Sequence, residues 1–322
     1  MELILANADG EEIRYLDYTK ADFDIGGENT FEIIMSVDDW QGDIEKNYRV
    51  YINGTEIGGL VGEIETNSTD ETVTIRGYTW RGLLSKKIIE PPSGSDYFTY
   101  TGTRPYAVRS AFNSLDWGDL FTYVVTSSGS SVTTKFDRYT DFLSGATKVL
   151  GKINQRLYIH YEKDDNVCYV ENVDIVDYSD EIEVSQDSNV QFTINFKYNC
   201  TNHLIALGEG ELADREVLHL YVDKNGNIGT TQYYTGINEI CEVYDASSSE
   251  DLEEDATEYF EDLITPYTLT ASIAELDVDI QIGDLVGATD AITGISATKA
   301  LAQIIYTDDG TETVEYNFEE EE

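Results

Sequence analysis

Positive charge, cysteine, proline and long apolar runs are all scarce in this sequence of 322 residues. The three cysteines, Cys168, Cys200 and Cys241, are odd in number and lack CxxC spacing, which excludes a disulfide framework and argues against a structural zinc site. No apolar run is about 18 residues long, and no basic segment precedes the first apolar run, so neither a membrane-spanning segment nor a secretion signal is predicted. These absences are typical of a protein that folds in a reducing cytoplasm.

The shortage of positive charge is the strongest constraint on partners. Only 20 Lys and Arg residues stand against 63 Asp and Glu residues, which gives a formal net charge of −43. Proteins that bind DNA, RNA or anionic lipid use Lys and Arg to displace counterions, and this surface repels those partners instead. Sequence-specific nucleic-acid binding is therefore not predicted. The simplest alternative explanation of the acidity is that it keeps the protein soluble.

The residues that are abundant favour strands. Tyr is frequent, at 23 residues against 11 Phe and 3 Trp, and β-branched residues are common. Short strand patterns separated by Gly, Asn and Asp fill the first 77 residues, with a hairpin predicted between Glu65 and Thr72. The strand patterns are ELILA, EIRYLD, TFEIIMSV, NYRVYING, TEIGGLVGEIETN and ETVTIRGYT. Their near-regular spacing indicates a barrel or sandwich rather than a parallel α/β sheet.

The middle of the chain changes to helical periodicity. Helices are predicted over 80–89, 104–115 and 139–154, and the segment EPPSGSDYFTYTGT between the first two is predicted to be a loop. The second helix has Pro105 in its first turn, and both longer helices have one apolar stripe that should pack against a sheet. The segments RLYIHYE and VCYVENVDI, joined by KDDN, are predicted to form a hairpin that closes this region.

Strand patterns return in the last part of the chain, together with one strongly acidic helix. The strands are VQFTINFKY, NHLIALGEG, REVLHLYVD, IGTTQYYTG, YTLTASI, IGDLVGATD, TKALAQIIYTD and ETVEYNF, with a turn at DKNGN. The helix spans about 248–264 and contains no basic residue, so the packing of its apolar stripe must hold it. We therefore predict a mainly β fold with an α+β insertion. It comprises a first β domain at 1–90, a helical middle region at 91–185 and a second β domain at 186–322.

No catalytic motif is complete in the sequence. A GxSxG nucleophile elbow is absent, and with 63 carboxylates an acidic pair carries no specificity for glycosidase chemistry. His160, His203 and His219 each lie in a predicted strand without metal-ligand spacing, so they are predicted to be packed or rim residues. No catalytic, cofactor-binding or metal site is predicted.

Two segments leave a calcium site open as an alternative. The segment DVDIQIGD places Asp277, Asp279 and Asp284 in an alternating pattern, and DKNGN is similar to part of a calcium loop. Neither segment has the Glu that closes an EF-hand at the right distance. Turn chemistry is therefore the favoured interpretation of both.

The few basic residues are unevenly distributed along the chain. Between 76 and 115 there are six basic residues and only two acidic ones, Glu90 and Asp96. Copies of so acidic a chain repel one another, so a positive patch that meets an acidic surface of the next copy would favour assembly. We hypothesise that a subunit interface contains Arg76, Arg81, Lys86, Lys87, Arg104 and Arg109. The alternative is that these residues pair with carboxylates of their own subunit.

Four segments, taken in order, resemble the hub proteins of the baseplate at the tip of bacteriophage and prophage tails, a group that includes the N-terminal hub region of tail-associated lysins. GLVGEIETNSTDETVTIRGYTWRGLLSKKII is similar to that family's strand, hairpin and passage into a helix, and FLSGATKVLGKINQRLYIHYE to its middle helix and following strand. NVQFTINFKYNCTNHLIALGEGE is similar to the segment that re-enters the second β domain, and VDIQIGDLVGATDAITGISATKALAQIIYTDDGTETVEYNF to the closing strands. These segments cover most of residues 55–318.

The resemblance implies a structural protein of the virion tail tip, made in the cytoplasm of a bacterial host. It implies a homotrimer in which two tail-tube-like β-barrel or sandwich domains per chain form a ring. That ring would join the tail tube or distal tail protein above to a fibre, spike or receptor-binding protein below, and DNA would pass through it. Carboxylates lining the channel would let DNA slide because they repel it, and the acidic helix at 248–264 is one candidate for this lining.

The sequence ends soon after the second β region and leaves no room for the peptidoglycan-cleaving domain of longer family members. We therefore expect no enzymatic activity and expect any lytic enzyme to be a separate chain. The alternative function is that of an acidic, β-rich carbohydrate-binding or carbohydrate-cleaving protein that uses its many tyrosines as sugar platforms. A groove with exposed aromatic rings would favour that alternative, and a closed ring would exclude it.

Overall fold

Strands dominate the computed structural model, which describes residues 1–127, 129–179, 183–184, 191–196, 199–246, 252–264, 267–273, 280–289, 292–294 and 296–318. The strands are β1 (Ile4–Ala6), β2 (Glu12–Tyr15), β3 (Lys20–Ile25), β4 (Thr30–Ser36), β5 (Arg49–Tyr51), β6 (Gly58–Asn67), β7 (Thr72–Thr79), β8 (Thr99–Gly102), β9 (Phe121–Val125), β10 (Val132–Lys135), β11 (Gln155–Glu162), β12 (Val167–Asp174), β13 (Glu183–Val184), β14 (Gln191–Phe196), β15 (His203–Leu207), β16 (Val217–Val222), β17 (Ile228–Gly229), β18 (Cys241–Asp245), β19 (Tyr267–Ile273), β20 (Leu285–Thr289), β21 (Ser296–Ala300), β22 (Gln303–Asp308) and β23 (Glu312–Asn317). The α-helices are α1 (Trp80–Leu84), α2 (Arg104–Asn113), α3 (Phe142–Gly151) and α4 (Leu252–Ile264). The predicted mainly β fold with helices inserted between strands is confirmed.

One large sheet joins strands from both ends of the chain, in the order β14-β19-β23-β22-β3-β4-β7-β6-β5-β1-β2. Its strands alternate between buried apolar and partly exposed polar side chains, as the period of two in a strand requires. The buried face forms a core around Phe23, Ile33 and Ile75. β22 pairs antiparallel with β3, which brings the closing strands into the sheet of the first ones.

A second core lies where the helices of the middle region pack on the sheet β11-β12-β9. α3 begins at its N-cap Asp141, whose carboxylate accepts a hydrogen bond from the Ser144 amide. The Trp80 ring stacks on Tyr161, with 5.1 Å between ring centroids. The predicted hairpin of β11 and β12 is confirmed.

The chain divides into two compact units, and the second contains its own core. The first unit comprises Met1–Phe192, Thr270–Ala291 and Thr298–Glu322, and the second comprises Thr193–Leu269 and Ile292–Ala297. In the second unit, α4 covers one face of the sheet β17-β16-β15-β18 and buries Leu204, Leu220 and Phe260. The predicted packing of the acidic helix through its apolar stripe is confirmed from Leu252 onward, and 248–251 lies outside the described residues.

The predicted division at 90 and 185 stays a prediction. The two compact units divide the chain elsewhere, because β22 and β23 belong to the sheet of the amino-terminal strands while 193–269 forms a separate core.

Several predicted boundaries were wrong. The helix predicted over 80–89 ends at Leu84, because Phe142 donates its backbone amide to the Lys87 carbonyl and Ile89 donates to Thr140. The segment predicted to be a loop contains β8, which pairs with β10. The strand predicted over 228–236 includes only Ile228 and Gly229.

Candidate functional site

The open face of the large sheet carries a row of charged side chains. Register places Asp22 opposite Glu32, Glu32 opposite Arg76, and Arg76 opposite Glu63 on four neighbouring strands. We name this surface the carboxylate face. Its acidic members are Asp22, Asp24, Glu32, Glu63, Glu65 and Glu315. Successive side chains of a strand point to opposite faces of the sheet. The apolar residues of these strands face the core, and the carboxylates between them therefore collect on the opposite face.

Arg76 is the centre of this face and binds three of its carboxylates. Its Nε lies 2.6 Å from Glu32, and its Nη1 lies 2.6 Å from Glu65 and 3.4 Å from Glu63. Hydrogen bonds with Glu65 and Glu32 raise the pKa of the guanidinium further above its ordinary value. One permanent cation therefore holds neighbouring acidic strands together while the face as a whole stays negative.

A groove of about 790 Å³ lies on the same face. Five carboxylates line it, with Arg76 and Lys46 as its cations and Phe31 and Tyr78 as its aromatic rings. Acidic side chains thus outnumber both cations and aromatic rings in the groove. This composition suits a surface that repels polyanions rather than one that stacks sugar rings.

The six basic residues of the predicted interface occupy different environments. Arg81 is buried and binds Glu56 of its own chain with two hydrogen bonds, of 2.6 and 3.1 Å. Arg76 is bound within the carboxylate face, as described above. Lys86 is exposed and lies over the Tyr78 ring, 4.4 Å from its centroid. For Arg81, pairing inside its own subunit is therefore what the geometry supports, whereas Lys86 is accessible to a second copy.

The remaining three basic residues lie in the helical layer. Lys87 is 6.0 Å from the Trp117 ring centroid, and Arg109 is 5.9 Å from that of Tyr106. Arg104 begins α2, and its Nε is buried without a hydrogen-bond partner in the part of the chain described here. Whether these residues touch a second copy stays a proposal. Lys87 and Arg109 thus lie near the outer limit of cation–π distance from an aromatic ring.

The DVDIQIGD segment contributes a buried ion pair. Asp284 is 1% exposed and accepts bonds from Arg156 Nε at 2.7 Å and Nη2 at 3.0 Å. It also accepts the amides of Val176 and Gln281. Its oxygens are thus engaged by donors rather than open to a cation, and Asp277 and Asp279 lie outside the described residues. In DKNGN, Asp223 accepts the amides of Asn225 and Asn227, which confirms the predicted turn.

The histidines are placed in two different environments. The His160 ring packs between Tyr158 and Tyr169, as predicted for a packed residue. His203 and His219 come together on one sheet face, a contact that their positions 16 residues apart did not reveal. Within the described ranges, no group of three or more His, Cys, Asp or Glu side chains is arranged to hold a metal ion. Of the helices described, none is long and apolar enough to cross a membrane.

The fold is similar to that of phage tail proteins. No protein-family model matches the chain, and no curated protein matches it in sequence. Among solved structures, the 43 kDa tail protein of prophage MuSo2 from Shewanella oneidensis is 13% identical, with a TM-score of 0.61, 99% of this chain covered and 98% of that chain. Prophage tail protein gp18 from Listeria monocytogenes EGD-e is 12% identical, with a TM-score of 0.60 and coverage of 100% and 96%. A tail protein from Neisseria meningitidis MC58 is 13% identical, with a TM-score of 0.59 and coverage of 99% and 96%. The resemblance to phage tail proteins predicted from the sequence is confirmed at the level of the fold.

Proposed function

We propose that the chain is a structural component of a phage or prophage tail tip that forms a trimeric hub ring. The observation that carries this proposal is that the similarity to tail proteins extends over almost the whole length of both chains. An end-to-end match leaves little of the chain for a separate function. In the virion, the ring joins the tail tube or distal tail protein to a fibre, spike or receptor-binding protein. The chain is made in the host cytoplasm and acts without catalysis.

We further propose that the carboxylate face lines the channel through which DNA passes. A channel for a polyanion must not hold it, and each Lys or Arg that neutralised a phosphate would add a favourable contact to break. On the carboxylate face Lys20 and Arg76 are themselves bound by carboxylates, so they are poor partners for phosphate. Lys46, the other cation of the groove, is outnumbered there by five carboxylates. This face is a better candidate for the lining than α4, because register places its carboxylates on one continuous surface of the sheet.

The carbohydrate-binding alternative is less well supported by the aromatic residues. A cation lies over the ring of Tyr78, Tyr97, Tyr106 and Tyr139. Each of these rings has one face occupied by a cation, which leaves only the other face for stacking on a sugar, and in the groove carboxylates outnumber aromatic rings. We therefore retain the structural role as the proposed function.

The test is charge reversal on the carboxylate face in assembled particles. Glu63→Lys with Glu315→Lys changes two exposed side chains and should leave tail assembly intact while slowing genome ejection, since the added cations hold phosphate. Particle yield, the number of copies of the chain per tail and the ejection rate are measured together. The slowing should diminish as salt is raised, because counterions compete for the same phosphates.

The matched control is Asp96→Lys with Asp119→Lys, which makes the same change in charge at two exposed positions of the first unit outside the strands of this face. The control should eject DNA at the wild-type rate. Equal ejection rates in both double variants would contradict the channel lining, and tails that contain a number of copies other than three would contradict the hub ring.

A further inference from the structure

Two histidines of the second unit meet on the sheet face opposite α4. β15 and β16 pair so that His203 lies opposite Tyr221 and Ile205 opposite His219, which makes the two histidines diagonal neighbours on one face. Nε2 of His203 lies 2.8 Å from Nδ1 of His219. His203 is buried, whereas His219 is exposed to solvent. Two imidazole nitrogens thus converge on one point that solvent can reach.

The carboxylate of Glu239 determines the tautomer of His203, and therefore which ring nitrogen of His203 offers a lone pair toward His219. Nδ1 of His203 lies 2.7 Å from Glu239 Oε1, and Gln232 donates to the same oxygen at 3.0 Å. Because a carboxylate only accepts, it keeps the proton of neutral His203 on Nδ1 and leaves Nε2 as an acceptor. The Tyr221 ring stacks on His203 with 4.3 Å between centroids, so the imidazole is held in this orientation.

We propose that this histidine pair binds one divalent transition-metal cation of the kind that favours imidazole, such as Zn²⁺. Zinc–nitrogen bonds are about 2.0–2.1 Å long, so two nitrogens at a tetrahedral angle lie roughly 3.3–3.4 Å apart. The observed separation of 2.8 Å reaches that value by a small rotation of the exposed His219 ring. In the metal-free pair, the Nδ1 proton of neutral His219 lies between the two rings. The cation takes the place of this proton, and His219 then carries its proton on Nε2.

Glu239 is a positioning residue in this site. Metal-binding imidazoles commonly donate their second nitrogen to a carboxylate, which fixes the tautomer and raises ligand basicity. The chain offers two ligands here, since no group of three candidate side chains surrounds a single point within the described ranges, and water completes the coordination. Affinity should therefore be lower than at a closed structural zinc site, which has four protein ligands.

The experiment is a calorimetric titration of the full chain with Zn²⁺ at neutral pH in the presence of excess Ca²⁺, which occupies carboxylate sites. One Zn²⁺ should bind per chain. His203→Gln and His219→Gln should each lower the affinity at least about tenfold, and Glu239→Gln should lower it by roughly 10- to 100-fold. Circular dichroism establishes that each variant is folded.

The matched control is His160→Gln, which changes the third histidine of the chain, in the first unit, and should leave zinc binding unchanged. As a second readout, saturating Zn²⁺ should raise the melting temperature of the wild-type protein and of His160→Gln but not of His219→Gln. Absence of zinc binding, displacement of zinc by Ca²⁺, or wild-type zinc affinity in the folded His203→Gln and His219→Gln variants would overturn the proposal. The proposal is independent of the hub function, so its failure would leave that function untouched.

Discussion

At the scale of single residues, Asp284 connects three separate parts of the first unit. Its carboxylate accepts bonds from the Arg156 side chain in β11, from the Val176 amide and from the Gln281 amide within its own turn. Both members of the ion pair are nearly inaccessible, at 11% exposure for Arg156 and 1% for Asp284. A buried charge is tolerated only while it is paired, so this pair should be far more sensitive to the loss of one member than an exposed pair.

We expect Asp284→Asn to lower the free energy of unfolding by about 3–5 kcal/mol, because it leaves the Arg156 guanidinium, of which only 11% is exposed, without a counter-charge. Urea denaturation of the wild-type and variant proteins measures the difference. The control is Asp137→Asn, which removes the partner of Lys148 in an exposed ion pair of similar length, 2.9 Å, and should cost less than about 1 kcal/mol. Equal losses in the two variants would show that burial of the Arg156–Asp284 pair has no energetic consequence.

Local sequence identified some of these residues but not their partners. The turn at IGDLV and the Asx turn at Asp223 were predictable, because each is built from neighbours in sequence. Arg156 and Asp284 are 128 residues apart, and no local pattern connects them. The same reason explains why His203 and His219 were predicted to be packed strand residues. Their meeting depends on strand register, which the sequence alone did not specify.

At the scale of elements, periodicity predicted most strands that bury one face, and short strands were missed. The β6–β7 hairpin and the β11–β12 hairpin were predicted because both have alternating patterns on each side of a turn. β3 has the same alternation, with Ala21, Phe23 and Ile25 inward, but its Lys and two Asp residues concealed it. β8 and β10 are four residues each and form a sheet of only two strands, so tertiary packing rather than pattern defines them.

The passage from β7 into α1 depends on Thr79, which ends the strand and caps the helix. Its hydroxyl donates to the Asn29 carbonyl at 3.1 Å and accepts the Gly82 amide at 3.2 Å, and the residue is fully buried. We expect Thr79→Ala to lower the free energy of unfolding by about 1–2 kcal/mol, since both bonds are lost in a buried site. Thr79→Ser keeps the hydroxyl and should retain most of that stability in thermal or urea unfolding. An alanine variant as stable as the serine variant would contradict the capping role.

At the scale of the whole molecule, many carboxylates and several cations lie in different surroundings. Carboxylates concentrate on the open face of the large sheet, and several cations lie over aromatic rings in and around the helical layer of the middle region. The composition predicted the excess of acid but not its placement, because placement follows from register across strands that are far apart in sequence. The predicted interface grouped six basic residues because they are close together in the sequence. The structure places these six residues on different surfaces.

Of the predicted interface residues, Lys86 and Lys87 are the most direct test of assembly through charge. In the proposed ring, Lys86→Glu with Lys87→Glu should weaken association more at low salt than at high salt, because screening reduces the repulsion that the variant creates. Sedimentation velocity across a salt series measures the oligomeric fraction. The control, Lys224→Glu with Lys299→Glu, adds the same negative charge at two exposed positions and should assemble like the wild type. Identical salt dependence in both double variants would contradict a role for Lys86 and Lys87 in the interface.

The pairing of β22 with β3 also determines when the large sheet can be completed during synthesis. Gln303 donates to Asp24 across 279 residues of chain, so β3 emerges from the ribosome long before its neighbour exists. At roughly 5–20 residues per second, that interval is on the order of 15 to 55 s. During this time the outer edge of β3 has unpaired backbone groups, and the charged side chains on either side of Phe23 are what discourage another nascent chain from adding a strand there. The acidity that suits the proposed DNA channel thus also protects the same strand against aggregation while the protein is being made.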